Sequence, residues 1–435
     1  MQEKNVLFST YQWAIIASCF VMLALGSSLN FNFGIFLKPL SEEFGWSRSS
    51  ISAGFSIFMI TGSASAILAG AMADKYGTRR VVIVGTLLIT LAMIFASRLQ
   101  SIWEFYLLIG VISGLGRSAF NTPILAFIQR SFTQNRGLAT GLAGAGGGLG
   151  ILITAPILGY LIAAYGWRLS YAAMGSTVLL LTLPAVWFIK SEKNVITKKS
   201  ANGAKSATFK EAATLPEASL GVKEIMKRRP FWTVLGSHAC DCMCHSVLLV
   251  HIVPFAIESG MPRVQAAMLM SALGAGALVG RLVGGMMSDR FGPKGTLLLF
   301  LSMQTFPVPL LLFSPGLGTM YFVAIFVGLG LGGHGTLYPL VTREFYGPKR
   351  VGLLYGTFTM GASIGMASGS FFGGVLYDMA GDYSWAFLYS FTLGVISLLL
   401  VWTYPNRTYL AEPSAETAQP GAGPAAGLGA ARNPD

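Results

Sequence analysis

GAMADKYGTRR (Gly70–Arg80) returns in the second half of the chain as GMMSDRFGPK (Gly285–Lys294), with two glycines and an aspartate in the same register. The interval from Gly70 to Gly285, which we call the repeat offset, also separates further pairs on either side of this stretch: Gly45 and Gly260, Arg48 and Arg263, Gly137 and Gly352, Gly141 and Gly356, Gly146 and Gly361, Gly150 and Gly365, and Gly159 and Gly374. One constant offset over so long a stretch indicates that the chain contains two copies of one structural unit.

The composition is that of a membrane protein. Of the 435 residues, 53% are hydrophobic and 11% are charged, whereas soluble domains carry about 25% charged residues. Hydropathy predicts twelve stretches long enough to cross a bilayer as helices, which we number spans 1 to 12. They cover residues 12–37, 49–72, 80–98, 103–129, 137–164, 168–189, 231–257, 264–287, 295–313, 319–342, 351–377 and 383–404.

The basic residues predict the topology. The polar segment 190–229 carries ten Lys/Arg beside four Glu, and basic loops favour the cytosolic side. With both termini cytosolic, 23 of the 30 Lys/Arg lie inside, so the net charge of +12 reflects topology and does not indicate nucleic-acid binding. We expect an integral plasma-membrane protein, of a bacterial inner membrane, without a cleavable signal. The predicted domains are an N-terminal six-helix bundle (1–189), a cytosolic linker (190–229), a C-terminal six-helix bundle (230–408) and a disordered cytosolic tail (409–435).

Two six-span repeats of equal orientation predict a pseudo-twofold axis along the membrane normal and a binding site at the midplane between the halves. Gly70–Arg80 and its copy resemble the signature of the major facilitator superfamily, which lies between spans 2 and 3 and between spans 8 and 9. The resemblance implies an all-α membrane fold of twelve transmembrane helices in two pseudo-symmetric bundles. It also implies a cytosolic gate in which Asp74, Arg79, Asp289 and Arg290 hold one state closed. The other interpretation is that these residues form loop turns with a charge at the helix end.

A second stretch is similar to a narrower family. NRGLATGLAGAGGGLG (Asn135–Gly150), followed by Gly166-Trp167-Arg168, resembles the monocarboxylate transporters and their oxalate:formate antiporter relatives. The resemblance places the substrate arginine of that family at Arg281. The chain departs from the family at Ala277, where animal members carry an aspartate, and in span 1, which contains no lysine. The implied substrate is a short monocarboxylate of the lactate and pyruvate class.

Two intramembrane arginines are candidates for anion binding. An arginine deep in a span costs roughly 2.5–3.5 kcal/mol on insertion scales, so Arg281 in span 8 is expected to face a partner or a substrate. Its guanidinium can grip a carboxylate with two parallel hydrogen bonds. The alternative is a structural arginine paired with a helix carbonyl or with Asp241. Arg117 in span 4 is a second possible anion ligand, and Asn121, one turn later, is a possible hydrogen-bond donor.

All four histidines fall within predicted spans, which is unusual because histidine titrates near neutral pH. His238, Asp241 and His245 share one face of span 7 and are predicted to carry the coupling proton; the alternative is a self-satisfied pair between helices. His251 in the same span, and His334 with Tyr338 in span 10, are predicted substrate contacts. Cys240, Cys242 and Cys244 point to different sides of one helix, so we expect no metal site.

The energetics favour proton coupling. An anion entering a negative-inside cell climbs about 2.3 kcal/mol per charge per 100 mV, and one accompanying proton cancels this cost. No phosphate-binding loop motif occurs, so ATP is not expected to supply the energy. The sequence therefore predicts a non-enzymatic symporter of monocarboxylate and proton, working by alternating access, with no cofactor and no obligatory protein partner. The alternatives are an organic-anion antiporter of the oxalate:formate type and, less favoured by the cation at Arg281, a drug-efflux protein.

Overall fold

The computed structural model describes residues 8–132, 136–189, 222–313, 316–346 and 351–405. Within these ranges the chain is helical and contains no strand. The first half contains helices Thr10–Phe31, Phe33–Phe44, Arg48–Tyr76, Thr78–Ala96, Ile102–Phe105, a π-helix Tyr106–Ile112, Ser113–Arg117, a 3₁₀ helix Ser118–Phe120, Thr122–Ser131 and Arg136–Trp187. The second half contains helices Val222–Met226, Arg229–Glu258, Arg263–Phe291, Pro293–Thr305, Leu310–Phe313, Leu317–Tyr346, Val351–Ala380 and Ser384–Trp402.

These helices supply the twelve spans. Ten segments of the described residues are long and apolar enough to cross a membrane. One of them, Ala139–Trp187, contains two helices that meet at Gly166, where the backbone leaves the helical region. The long helix Val351–Ala380 supplies span 11. The predicted all-α membrane fold is confirmed, while the domain boundaries and the disordered tail at 409–435 remain predictions, the tail lying outside the described residues.

The backbone repeats with the period of the sequence. The positive-φ glycines of the described residues form three pairs, each separated by the repeat offset: Gly45 and Gly260, Gly77 and Gly292, and Gly166 and Gly381. A positive φ strains residues that carry a Cβ, so glycine is favoured at these six turns. We call the end of the molecule with Gly77 and Gly292 the linker end, and the end with Gly45 and Gly260 the far end.

Helix packing repeats as well. Gly150 of span 5 lies against the backbone of Ala24 in span 1, and Gly365 of span 11 lies against the backbone of Ala239 in span 7. Both contacts are so close that a Cβ on either glycine would approach the opposing carbonyl oxygen to 2.3–2.4 Å. Small residues permit such close approach of membrane helices. Each member of the second pair follows its counterpart by the repeat offset, so the two bundles are built in the same way.

Three spans are less regular than hydropathy predicts. Span 1 extends to Phe44 and breaks at Asn32, whose amide nitrogen donates to Thr154 Oγ1 at 2.6 Å. Span 4 contains a π-helical stretch and breaks at Asn121. Span 9 leaves regular helix after Thr305, where Pro307 and Pro309 follow. Breaks of this kind free backbone groups at membrane depth, which is tolerated where helices pack or line a cavity.

Candidate functional site at the bundle interface

Arg281 lies where the two bundles meet. Its Nη1 donates to the carbonyl oxygen of Gly144 in span 5 at 3.0 Å, so the arginine of one bundle reaches the backbone of the other. Among the described residues, no carboxylate lies within ion-pair distance of its guanidinium. Tyr355 of span 11 and His334 of span 10 are within electrostatic range. A half-buried cation without an acidic partner is suited to receive an anion.

Arg117 is held inside the N-terminal bundle. Its guanidinium carbon lies 5.2 Å from the ring centre of Phe58, and its Nη2 lies 2.7 Å from where a Cβ on Gly62 would stand. Its buried Nε has no hydrogen-bond partner among the described residues. Asn121 is exposed at the break in span 4. Both residues therefore remain predicted ligands, and neither is tied to a carboxylate in the described part of the chain.

Asp241 is the centre of a buried polar cluster in the C-terminal bundle. Its Oδ1 accepts a hydrogen bond of 2.5 Å from Gln304 Nε2 in span 9. His334 Nδ1 lies 3.5 Å from Oδ2, and His245 Nδ1 lies 4.0 Å from Oδ1. Within the described part of the chain, Asp241 Oδ2 and the Nδ1 atoms of both histidines have no hydrogen-bond partner. Such unsatisfied buried groups are costly, at about 1–3 kcal/mol each, and call for a functional explanation.

Part of this cluster is not apparent from the cysteines of one helix, on which the expectation of no metal site rested. Potential ligand atoms of Asp241, Cys242, His245 and His334 lie within 4.8 Å of one another across spans 7 and 10. A small metal ion would be within reach of all four side chains. One carboxylate oxygen is already engaged by the Gln304 amide. The remaining open atoms are one carboxylate oxygen, one thiol and two imidazole nitrogens, which suit a proton as well as a metal ion.

His238 and Tyr338 pack against each other in the C-terminal bundle. Their rings stack with centroids 3.9 Å apart and an interplanar angle of 17°. Tyr338 OH lies 3.4 Å from Ser237 Oγ, which in turn lies 2.5 Å from Tyr404 OH. Tyr338 is fully buried in this state, so its predicted substrate contact would require the bundle to rearrange.

His251 lies near the far end, apart from the other histidines. Its Nε2 lies 2.9 Å from the carbonyl oxygen of Ser370 and therefore donates to it. The ring is fully buried beside Gly373 and Tyr383. The structure thus joins His251 to spans 11 and 12, and its role as a substrate contact remains a prediction.

The far end is closed by contacts between the bundles. Asp378 of span 11 accepts hydrogen bonds from the backbone N–H groups of Arg48 and Ser49 at 2.9 and 2.8 Å. The Arg48 guanidinium donates to Glu258 at 2.5 Å. A second inter-bundle ion pair joins Arg263 to Glu42 at 2.6 Å. Close by, within the first bundle, Glu43 accepts from Arg168 and from Trp167.

The linker end is open in the described part of the interface. Ser56 in span 2 donates to the carbonyl oxygen of Ala367 in span 11 at 2.6 Å. One turn nearer the linker, Ile60 and Ile364 are 50% and 52% exposed. On the other side of the interface, contact between spans 5 and 8 reaches Gly144, whereas Cβ atoms on Gly141 and Gly285 would meet open space. The interface between the bundles is therefore open on the side of the linker.

The predicted cytosolic gate residues lie at this open end. Asp74 pairs with Arg130 of its own bundle at 2.6 Å, and the Arg79 guanidinium lies 5.1 Å from the ring centre of Trp187. Asp289 is exposed, and the Arg290 guanidinium lies 5.5 Å from the ring centre of its neighbour Phe291. Among the described residues, none of these four joins the two bundles, and their gating role remains a prediction for a state closed at the linker.

Several residues of the site were missed from the sequence. Gln304 is a buried amide in an apolar span, a signal that could have been used. Asp378 and Glu258 lie at the ends of long helices, where a charge carries little information by itself. Ser27 and Gly147, which lie beside Arg281, carry no individual signal in a chain rich in small residues.

Comparison with known proteins supports a transport fold. A family model described as "Major Facilitator Superfamily" matches residues 16–343 and, in a second match, residues 238–434. Monocarboxylate transporter 2 of Mesocricetus auratus is 26% identical over 399 residues, covering 88% of this chain and 82% of the relative. Monocarboxylate transporter 11 of Mus musculus is 28% identical over 385 residues, covering 86% of this chain and 83% of the relative.

Solved structures show the same architecture. The crystal structure of a D-xylose-proton symporter superposes with a TM-score of 0.72 at 14% identity, covering 92% of this chain and 99% of that one. A bacterial homologue of the human lysosomal transporter Spinster, in an inward-facing and unoccupied conformation, gives a TM-score of 0.66 at 16% identity, covering 91% and 95%. At these identities the likeness concerns the fold alone.

Proposed function

Because the chain belongs to the Major Facilitator Superfamily and is a transporter, not an enzyme, we propose that it carries short monocarboxylates together with a proton. The substrates are of the lactate and pyruvate class, and transport proceeds by alternating access. The observation that carries the proposal is Arg281, a half-buried cation at the bundle interface without an acidic partner among the described residues. The names of the monocarboxylate transporter relatives support the substrate class.

The Asp241 cluster is the proposed proton carrier. Asp241, His245 and His334 are buried in one bundle with open ring nitrogens and an open carboxylate oxygen. His334 Nδ1 lies 3.5 Å from Asp241 Oδ2, and His334 is also within electrostatic range of Arg281. A proton held on this cluster would offset the charge of an anion bound at Arg281, so that the loaded carrier reorients without moving net charge.

The closed far end and open linker end correspond to one state of alternating access. In the proposed plasma membrane, with the linker and both termini in the cytosol, this state opens to the cell interior. Of the other predicted substrate contacts, His334 is already within electrostatic range of Arg281 and Asn121 is exposed. The fully buried His251 and Tyr338 would meet the substrate only in a state with different bundle packing.

The test is uptake of radiolabelled lactate into proteoliposomes under an imposed inward pH gradient. Wild type is compared with Arg281→Ala, with Arg281→Lys and with Arg343→Ala, an exposed arginine at the end of span 10. The proposal expects uptake that rises with the gradient, is abolished by a protonophore, is lost in Arg281→Ala and persists in Arg343→Ala. Uptake that needs an internal counter-anion and ignores the pH gradient would instead select an antiporter.

A further inference from the structure

Ser27 of span 1 and Arg281 of span 8 approach one point from opposite bundles. A Cβ placed on Gly147 of span 5 would lie 2.8 Å from Ser27 Oγ and 2.7 Å from Arg281 Nη1. A hydroxyl and a guanidinium therefore converge beside a glycine, at the boundary between the bundles.

The Ser27 hydroxyl is available to a ligand. Serines in helices often donate to the carbonyl four residues earlier, and on this span Ser18 and Ser28 do so, at 2.7 and 2.8 Å. Ser27 makes no hydrogen bond with any described residue, and its side chain is half-buried. A half-buried donor without a partner, beside a half-buried cation without a carboxylate, is an arrangement that an anion would complete.

We infer that Ser27 and Arg281 together bind the carboxylate of the substrate, with Gly147 keeping the space between them free. This inference rests on the proposed function and names the second ligand of the same site. The guanidinium supplies the charge and one hydrogen bond, and the serine supplies a neutral donor for the other carboxylate oxygen. Tyr355 and His334, the other groups in electrostatic range, carry no permanent charge. The site therefore favours one carboxylate over a dicarboxylate.

The two donors belong to different bundles, which gives the site a mechanical role. In the present state Arg281 Nη1 donates to the neutral carbonyl oxygen of Gly144. A bound carboxylate offers a stronger, charge-assisted partner to the same nitrogen and takes a second bond from span 1. Substrate binding thus exchanges a direct contact between spans 5 and 8 for one through the substrate between spans 1 and 8.

Gly147 and its neighbours provide matched variants. A methyl at Gly147 would displace the flexible end of Arg281 and the Ser27 hydroxyl, with little effect on helix packing. A methyl at Gly141, earlier on the same helix and exposed, would meet nothing within 4 Å. Ser18→Ala controls for Ser27→Ala, because the Ser18 hydroxyl already donates to the backbone of its own helix.

The experiment measures the KM of lactate uptake and the rise in melting temperature of the purified protein on adding lactate, pyruvate or succinate. Ser27→Ala is expected to raise KM about tenfold, as loss of a hydrogen bond to a charged group does, whereas Ser27→Thr retains the hydroxyl and remains near wild type. Gly147→Ala is expected to raise KM at least as much, while Gly141→Ala and Ser18→Ala stay near wild type. Succinate is expected to shift the melting temperature less than lactate does.

A wild-type KM in Ser27→Ala would overturn the inference, as would equal KM values in Gly147→Ala and Gly141→Ala. The two readouts separate this inference from the proposed function. If proton-driven uptake is absent but a carboxylate stabilises the wild type and not Ser27→Ala, the proposed function fails and the site stands. If uptake is proton-driven and Ser27→Ala behaves as wild type, the site fails alone. If no carboxylate stabilises the wild type, the inferred site is wrong.

Discussion

Asp378 of the C-terminal bundle caps the start of span 2 in the N-terminal bundle, accepting the backbone N–H of Arg48 at 2.9 Å. A carboxylate at a helix start satisfies otherwise open N–H groups and the positive end of the helix dipole. The same interaction within one helix is worth roughly 0.5–2 kcal/mol. Here it joins two bodies that must separate if the far end is to open.

Asp378→Asn is therefore expected to shift the protein toward a state open at the far end. The shift can be followed by labelling Ser56→Cys, in a background without the four native cysteines, with a membrane-impermeant maleimide from the far side. We expect faster labelling in the Asp378 variant, because Ser56 lies in the interface below the closure. Asp382→Asn removes only a local hydrogen bond to Ser384 and is the control. Unchanged labelling would show that Asp378 does not hold the far end closed.

Gly332→Ala is expected to destabilise the fold. A Cβ at this position of span 10 would lie 2.0 Å from the carbonyl oxygen of Ala277 in span 8, and backbone cannot yield as a side chain does. Overpacking of this kind typically costs about 1–3 kcal/mol. The melting temperature in detergent, followed by size-exclusion chromatography, should fall for Gly332→Ala. Gly335→Ala on the same helix meets open space and should melt as wild type; equal melting of the two variants would contradict the packing argument.

Asp241→Asn is expected to separate coupling from exchange. The amide cannot take up a proton, so uptake driven by a pH gradient should be lost. Exchange of labelled for unlabelled lactate, which needs no net proton movement, should persist. Cys240→Ser lies one residue earlier, is only half-buried and should behave as wild type in both assays. Gradient-driven uptake that survives in Asp241→Asn would remove this carboxylate as the proton carrier.

Asp74→Asn is expected to impair transport without affecting stability. The Asp74–Arg130 pair is exposed, and such surface pairs contribute about 0–1 kcal/mol. If Asp74 also helps to hold the linker end closed in the other state, the variant should bind lactate normally but reorient slowly, lowering the maximal uptake rate. Lys75→Gln is the neighbouring control. A normal uptake rate in Asp74→Asn would favour the interpretation as a simple loop turn.

Much of the fold was predictable because it is repeated. The offset that joins Gly150 to Gly365 in the sequence also joins their packing partners, Ala24 and Ala239. Glycines that recur at the repeat offset therefore mark helix contacts that recur at the same offset. The position of Arg281 deep in a span was also predictable from the sequence. Because a charged side chain is costly there, polar surroundings could be expected for it.

The partners of these residues were not predictable, because they depend on distances between spans far apart in sequence. That Arg281 reaches the carbonyl of Gly144 depends on how the two bundles are placed. That Gln304 holds Asp241 depends on how spans 7 and 9 face each other. Helical periodicity predicts on which face of its own helix a residue lies, but it does not predict which residue of another helix lies opposite.

The two sides of the contact that closes the far end differ in how much they depend on side-chain identity. Asp378 recognises the main chain of Arg48 and Ser49, and every residue except proline presents the same N–H group there. Substitutions at positions 48 and 49 would leave these hydrogen bonds intact, although replacing Arg48 would remove its separate ion pair with Glu258. Position 378 is more restricted, because only an acidic side chain of suitable length can accept hydrogen bonds from both N–H groups with a full negative charge. We therefore expect substitutions to be tolerated at positions 48 and 49 more readily than at position 378.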